Sequence, residues 1–107
     1  MYCLCIHDEL LKKVNKLGYE PVGLGQSNYQ KGWVRDSTDE NISSKNSHYG
    51  EYSFHYWLWK NKIDIFKKSE WVGFCAYRRF WLNENFLSNS QMSFEDKILK
   101  KVPKIWN

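Results

Sequence analysis

The sequence predicts an α/β domain with a mostly parallel sheet flanked by helices, and three observations carry that prediction. The opening third runs apolar, amphipathic, apolar, which is the β-α-β order of parallel strands joined by a crossover helix. A further apolar run, WVGFCA at residues 71–76, follows a long aromatic segment and ends on the polar and aromatic string YRRFW. The 107 residues are 42% hydrophobic and 18% aromatic, enough apolar material for one folded domain rather than a disordered chain.

Taken in order, YCLCI at residues 2–6 is a short apolar run of the kind that forms a strand buried on both faces. Asp8 is expected to cap the helix that follows. In ELLKKVNKL, Leu10, Leu11, Val14 and Leu17 recur at helical spacing while Lys12, Lys13 and Lys16 face outward, and Gly18 supplies the stop. Pro21 opens the second strand, PVGLG. From Gln26 to Ser47 the chain is rich in Asn, Ser and Asp and reads as a long loop interrupted only by Trp33 and Val34. A loop of that length in a small domain is expected to serve a function. HYGEYSFHYWLWKNK, residues 48–62, is too long for a strand and reads as a helix capped by Asn46 or Ser47. Aromatics on nearly every side of it predict burial on most sides. Residues 71–76 are the next strand, NENFLSNSQ is a loop, and Ser93 is expected to cap a helix over FEDKILKKV that Pro103 ends.

Composition bounds the function classes. The net charge of +4 is a mild excess of sixteen basic over twelve acidic residues, which suits a phosphate-bearing partner without requiring one. Three cysteines, an odd number in apolar runs, read as reduced and buried thiols, and the Cys3-x-Cys5 pair lacks the further ligands of a zinc shell. No run of about 18 apolar residues predicts a transmembrane segment, and the N-terminus lacks the pattern of a signal peptide, so a cytoplasmic location is the expectation. Tyr77, Phe80 and Trp81 beside two arginines raise single-stranded nucleic-acid stacking as a rival, but most lysines are scattered over the amphipathic segments instead of following a groove, so nucleic acid is not an expected partner.

The string RDSTDENISSKNSHYGEYSFHYWLWKN followed by WVGFCAYRRFW resembles a bacterial family of capsular and exopolysaccharide biosynthesis proteins, first catalogued as a domain of unknown function and later grouped with glycosyltransferases. That family shows a D-N-T-G-D-N-I-S-x-K-N segment, an E-L-T-x-x-Y-W-x-W-K-N helix and a strand ending in H-Y-R-R-Y. The matching positions are Asp36, Asn41, Ile42, Ser43, Lys45, Asn46, Glu51, Tyr56, Trp57, Trp59, Lys60, Asn61, Tyr77, Arg78 and Arg79. The family's His is Ala76 here and its Gly-Asp pair is Asp39-Glu40. Because the family's domain continues beyond residue 107, the resemblance implies a single, partial domain over residues 1–107. It would correspond to the N-terminal, nucleotide-sugar-binding half of a GT-A-like glycosyltransferase.

The implied reaction is transfer of a sugar from a nucleotide donor to a glycan acceptor in surface polysaccharide assembly. A departing diphosphate develops negative charge that guanidinium groups or a metal must stabilise. Arg78 and Arg79 would supply it at the strand end, with no metal or other cofactor needed, although paired aspartates hold a divalent ion at the corresponding place in many such enzymes. Tyr77 would pack on base or sugar. Asp36, Asp39 and Asn41 would hold ribose or sugar hydroxyls, and Lys45 and Asn46 would donate to phosphate or hydroxyl oxygens. The alternative for each is structural: a carboxylate paired with arginine at the sheet edge, an acidic turn, a loop held by side chain to backbone bonds. His48, Glu51 and His55 share one helix face and could bind a metal, exchange protons or simply pair with a neighbour. A second possibility for the whole chain is a non-catalytic remnant that binds a nucleotide, carbohydrate or protein, and an open sheet edge would allow self-association.

Overall fold

The computed structural model describes residues 1–64, 71–84 and 91–106. Four parallel strands form one sheet in the order β3-β2-β1-β4: β1 (Tyr2–Cys5), β2 (Glu20–Gly23), β3 (Val34–Arg35) and β4 (Phe74–Ala76). Side chains alternate across β1, so Cys3 and Cys5 enter one core and Leu4 the other. On the first face α1 (Leu11–Lys16) buries Val14 and, just beyond its end, Leu17 against Cys3, Cys5, Cys75, Tyr19, Trp33 and Ile98. On the second, α2 (Asn46–Tyr49) leads into α3 (Tyr52–Asn61), which packs Phe54, Trp57 and Leu58 over Leu4, Val22 and Leu24. Helices on both faces explain why β1 is apolar without interruption. All three cysteines are free and buried, as their setting in apolar runs predicts.

Several elements depart from the sequence reading. Within the predicted long loop, Val34 and Arg35 form the edge strand β3, in register with Val22 and Gly23. A two-residue strand has no period to detect, and Trp33 beside it is the only apolar signal. Asp8 does not cap α1; its carboxylate accepts from the Gln30 backbone N–H at 2.8 Å and the Trp33 indole at 2.9 Å, tying the loop to the start of a short 3-10 turn (Asp8–Leu10). Gly18 does end the helix, at φ 83°.

The aromatic segment is two helices. Gly50 adopts φ 56° and ψ −131° and breaks them apart. Burial of α3 is also one-sided: Tyr52 is 67% exposed and Trp59 52% exposed. At the C-terminal side α4 is limited to Phe94–Lys97, and the Ser93 hydroxyl bonds the Asp96 carboxylate at 2.7 Å instead of capping a backbone N–H. Ile98 leaves the helix, forms an antiparallel bridge with Leu82 and is buried against the α1 core. Tertiary pairing thus overrides the weak helical stripe of residues 94–102. Most of the predicted loop at residues 83–91 lies outside the described residues.

The β4 edge is covered by its own chain. Tyr2 donates to the Gly73 carbonyl and Tyr77 to that of Leu4, so alternate residues 74 and 76 turn their backbone groups outward. There the Phe74 carbonyl accepts from the Trp81 indole at 2.7 Å, and Ala76 exchanges two backbone bonds with Arg79 at 3.0 Å each. A second copy pairing on β4 would first have to displace this turn. No helix among the described residues is long and apolar enough to cross a membrane.

Candidate functional site

In an open parallel sheet, ligands bind outside the carboxyl ends of the strands, where the strand order reverses. Here the chain moves outward from β1 through β2 to β3 and then returns to the opposite side of β1 as β4. The reversal lies between β1 and β4. His7 follows β1 and Tyr77 follows β4, and their rings meet edge to face at 5.2 Å. The Arg78 guanidinium lies 5.4 Å above the Tyr77 ring. The tight turn that joins Ala76 to Arg79 projects both arginines as exposed side chains at this end of the sheet.

The two arginines have different surroundings. Arg78 lies over Tyr77, whereas Arg79 lines a groove of about 400 Å³ between the start of α3 and the turn after β4. Glu51, His55, Phe74, Phe80 and Trp81 share its walls. That volume is typical of small-ligand sites, and the mixture of aromatic walls with a few charged groups is their usual composition. Glu51 occupies the N-cap position of α3 and is exposed. One turn on, the His55 ring donates through its Nδ1–H to the Glu51 carbonyl at 2.9 Å and lies against Phe74 at 4.4 Å between centroids. His48 does not line this groove. Among the described residues no group of three or more His, Cys, Asp or Glu is placed to hold a metal ion.

The loop residues predicted to bind ligand have internal partners. Asp36 is fully buried; its carboxylate accepts from the Gly25 N–H at 2.9 Å and from the Ser53 hydroxyl of α3. Burial pushes its pKa up, against the pull of the Ser53 and Gly25 bonds and of Arg35. Asn46 donates to the same Ser53 hydroxyl at 2.9 Å and to the Gly50 carbonyl at 2.7 Å. Asn41 donates to the carbonyls of Ser37 and Asp39 and accepts from the Ser43 N–H and hydroxyl, which closes the turn in which Asp39 takes φ 51°. Trp57 and Asn61 of α3 then donate to the carbonyls of Thr38 and Glu40, and Lys60 pairs with Glu40 at 3.5 Å. The loop from residue 36 to residue 46 is therefore latched along α3. Asp39 and Lys45 remain exposed on it.

Residues 2–104 match the family described as Domain of unknown function (DUF4422). The chain belongs to the DUF4422 family. No curated protein matches it, and no solved structure does. Within this DUF4422 domain, the latch and the α3 groove are two uses of one sequence motif. The Trp57, Lys60 and Asn61 side chains tie α3 to the loop while Phe54, Trp57 and Leu58 pack it on the sheet, and Glu51 at its start shares the groove with Arg79. Sequence reasoning did not place His55 or Trp81 in this wall, nor His7 beside Tyr77 at the strand reversal. Trp81 closes the stretch in which the arginine pair stands, so proximity was its signal; His7 had none, because only the strand order brings it to Tyr77.

Proposed function

We propose that this DUF4422 domain binds a nucleotide-sugar donor at the carboxyl edge of its sheet and serves sugar transfer to a glycan acceptor in surface polysaccharide assembly. The observation that carries the reading is the groove at the start of α3, in which Glu51 and Arg79, from separate parts of the motif, face one cavity with Trp81 and His55. A guanidinium fork and a carboxylate are the pair needed to grip a diphosphate and sugar hydroxyls, and the indole offers a flat apolar surface to a sugar ring. Arg79 neutralises the diphosphate as the glycosidic bond breaks, with Arg78 adding charge beside Tyr77 at the strand reversal. Arginine takes the part that a divalent ion on paired aspartates plays elsewhere, since the strand ends Ala76-Tyr77-Arg78-Arg79. Asp36, Asn41 and Asn46 serve this site indirectly, by keeping the loop on α3.

Calorimetric titration with UDP, GDP and their common sugar conjugates, with and without manganese, tests the proposal. One nucleotide binds without metal, and Arg79→Lys weakens it about tenfold or more, because a point charge does not reproduce the bidentate fork. Unchanged affinity in both Arg79→Lys and Arg78→Lys removes the pair from the site. Binding of a conjugate without release of its nucleotide assigns the chain to ligand binding rather than catalysis.

A further inference from the structure

At the other end of the same sheet edge, beyond β2 and β3, lies an open polar depression of about 520 Å³ lined by Gln26, Ser27, Asn28, Tyr29, Arg35 and Ser37. Its floor is prepared by the GLG sequence that ends β2. A Cβ on Gly23 would come within 2.7 Å of the Tyr29 ring, so the ring rests directly on backbone, and the Tyr29 hydroxyl donates to the Leu24 carbonyl at 2.8 Å. Above that fixed ring sits the Arg35 guanidinium, 4.1 Å from its centroid. Arg35 Nε donates to the Gly23 carbonyl at 3.0 Å and an Nη donates to the Gly25 carbonyl.

These contacts fix the plane of the guanidinium and leave its remaining N–H donors for the depression. Among the described residues no carboxylate forms an ion pair with Arg35. Its chain neighbour Asp36 spends both oxygens on Gly25 and Ser53. The walls add hydroxyls from Ser27 and Ser37 and amides from Gln26 and Asn28, and no acid. A half-buried cation held flat, with no ion-pair partner among the described residues and only the buried, otherwise bonded Asp36 acting on it electrostatically, in a cup of neutral donors, matches the requirements of a phosphoryl or carboxylate group.

We propose that this depression is a binding subsite for an oxyanion, a phosphoryl or carboxylate group gripped by the Arg35 fork and the hydroxyls of Ser27 and Ser37. Three strand spacings separate β3 from β4, about 14 Å, so one diphosphate does not engage Arg35 and Arg79 together. The subsite takes a separate anionic group and stands whether or not the chain transfers sugars.

The test is an NMR titration of the full chain, following backbone amides and arginine Nε–H signals, with inorganic phosphate in one arm and acetate in the other at constant ionic strength. Saturable shifts centred on Arg35 Nε–H and the Ser27 and Ser37 amides are expected. Saturation by phosphate alone assigns a phosphoryl site and saturation by acetate alone a carboxylate site; saturation by both assigns a site for either group. Arg35→Lys weakens the saturating anion about tenfold or more. The double variant Ser27→Ala with Ser37→Ala leaves the carbonyl bonds of Arg35 in place and weakens it severalfold, which decides the matter if Arg35→Lys fails to fold. Shifts that never saturate, or saturation unchanged in the folded variants, overturn the proposal. Shifts confined to Arg79 overturn it while leaving the donor groove intact.

Discussion

A carboxylate with no accessible surface must be bonded, neutral or both, and Asp36 is held by Gly25 and Ser53 while burial raises its pKa above the ordinary 3.8. A raised folded-state pKa means that the folded chain binds the proton more readily, so this contribution is fully present below pH 3.8 and is lost as pH rises through the folded value. Asp36→Asn keeps the shape and removes the titration. The stability of the parent chain relative to this variant is expected to fall as pH rises from about 3 towards about 7. Urea midpoints across that range measure it, and parallel curves would count against a raised pKa. The buried thiols show the same effect of surroundings on reactivity: a hydrogen bond with Cys5, with burial, pushes Cys3 up to about 12. At neutral pH it is almost wholly thiol and correspondingly inert.

Among the elements, the joint between α2 and α3 depends on one backbone conformation. Gly50 at φ 56° and ψ −131° lies where residues with a Cβ rarely go, and its carbonyl accepts from Asn46, which also donates to the Ser53 hydroxyl that bonds Asp36. Nothing lies within 4 Å of a Cβ added there. The cost of Gly50→Ala is therefore conformational, about 1–3 kcal/mol, and chemical denaturation should register it without any steric rearrangement. A larger loss, with altered Asp36 titration, would mean that the joint and the loop latch unfold together. The turn after β4 is the corresponding feature on the other side of the groove, since Trp81 and Arg79 satisfy the outward backbone of the edge strand while their side chains form its wall.

Across the whole molecule, the C-terminal segment completes the core on the α1 face. Ile98 is 4% exposed among Cys75, Tyr19 and their neighbours, the Tyr19 hydroxyl donates to the Leu99 carbonyl at 2.6 Å, and the backbone of residues 97–99 pairs with residues 81–83. Ile98→Ala is expected to cost about 2–5 kcal/mol and to lower the urea midpoint with little change in slope. An effect within a few tenths of a kcal/mol would mean that this segment is not part of the cooperative unit.

The sequence alone determined the parallel β-α-β start, the burial of the three cysteines and the presence of helix over most of residues 48–62, because each rests on local periodicity or on apolar runs that few structures accommodate. It also marked Glu51 and Arg79 as residues of interest. Only the tertiary structure decided that these two share a groove while Arg78 lies over Tyr77, and that Asp36 is enclosed. It alone made a strand of Val34 and Arg35 and turned Ile98 out of a helix into the core. Those outcomes follow from strand order and long-range pairing, in which residues far apart in the chain compete for the same backbone partners. Periodicity along the sequence records which residues prefer burial; it does not record which distant segment will cover them.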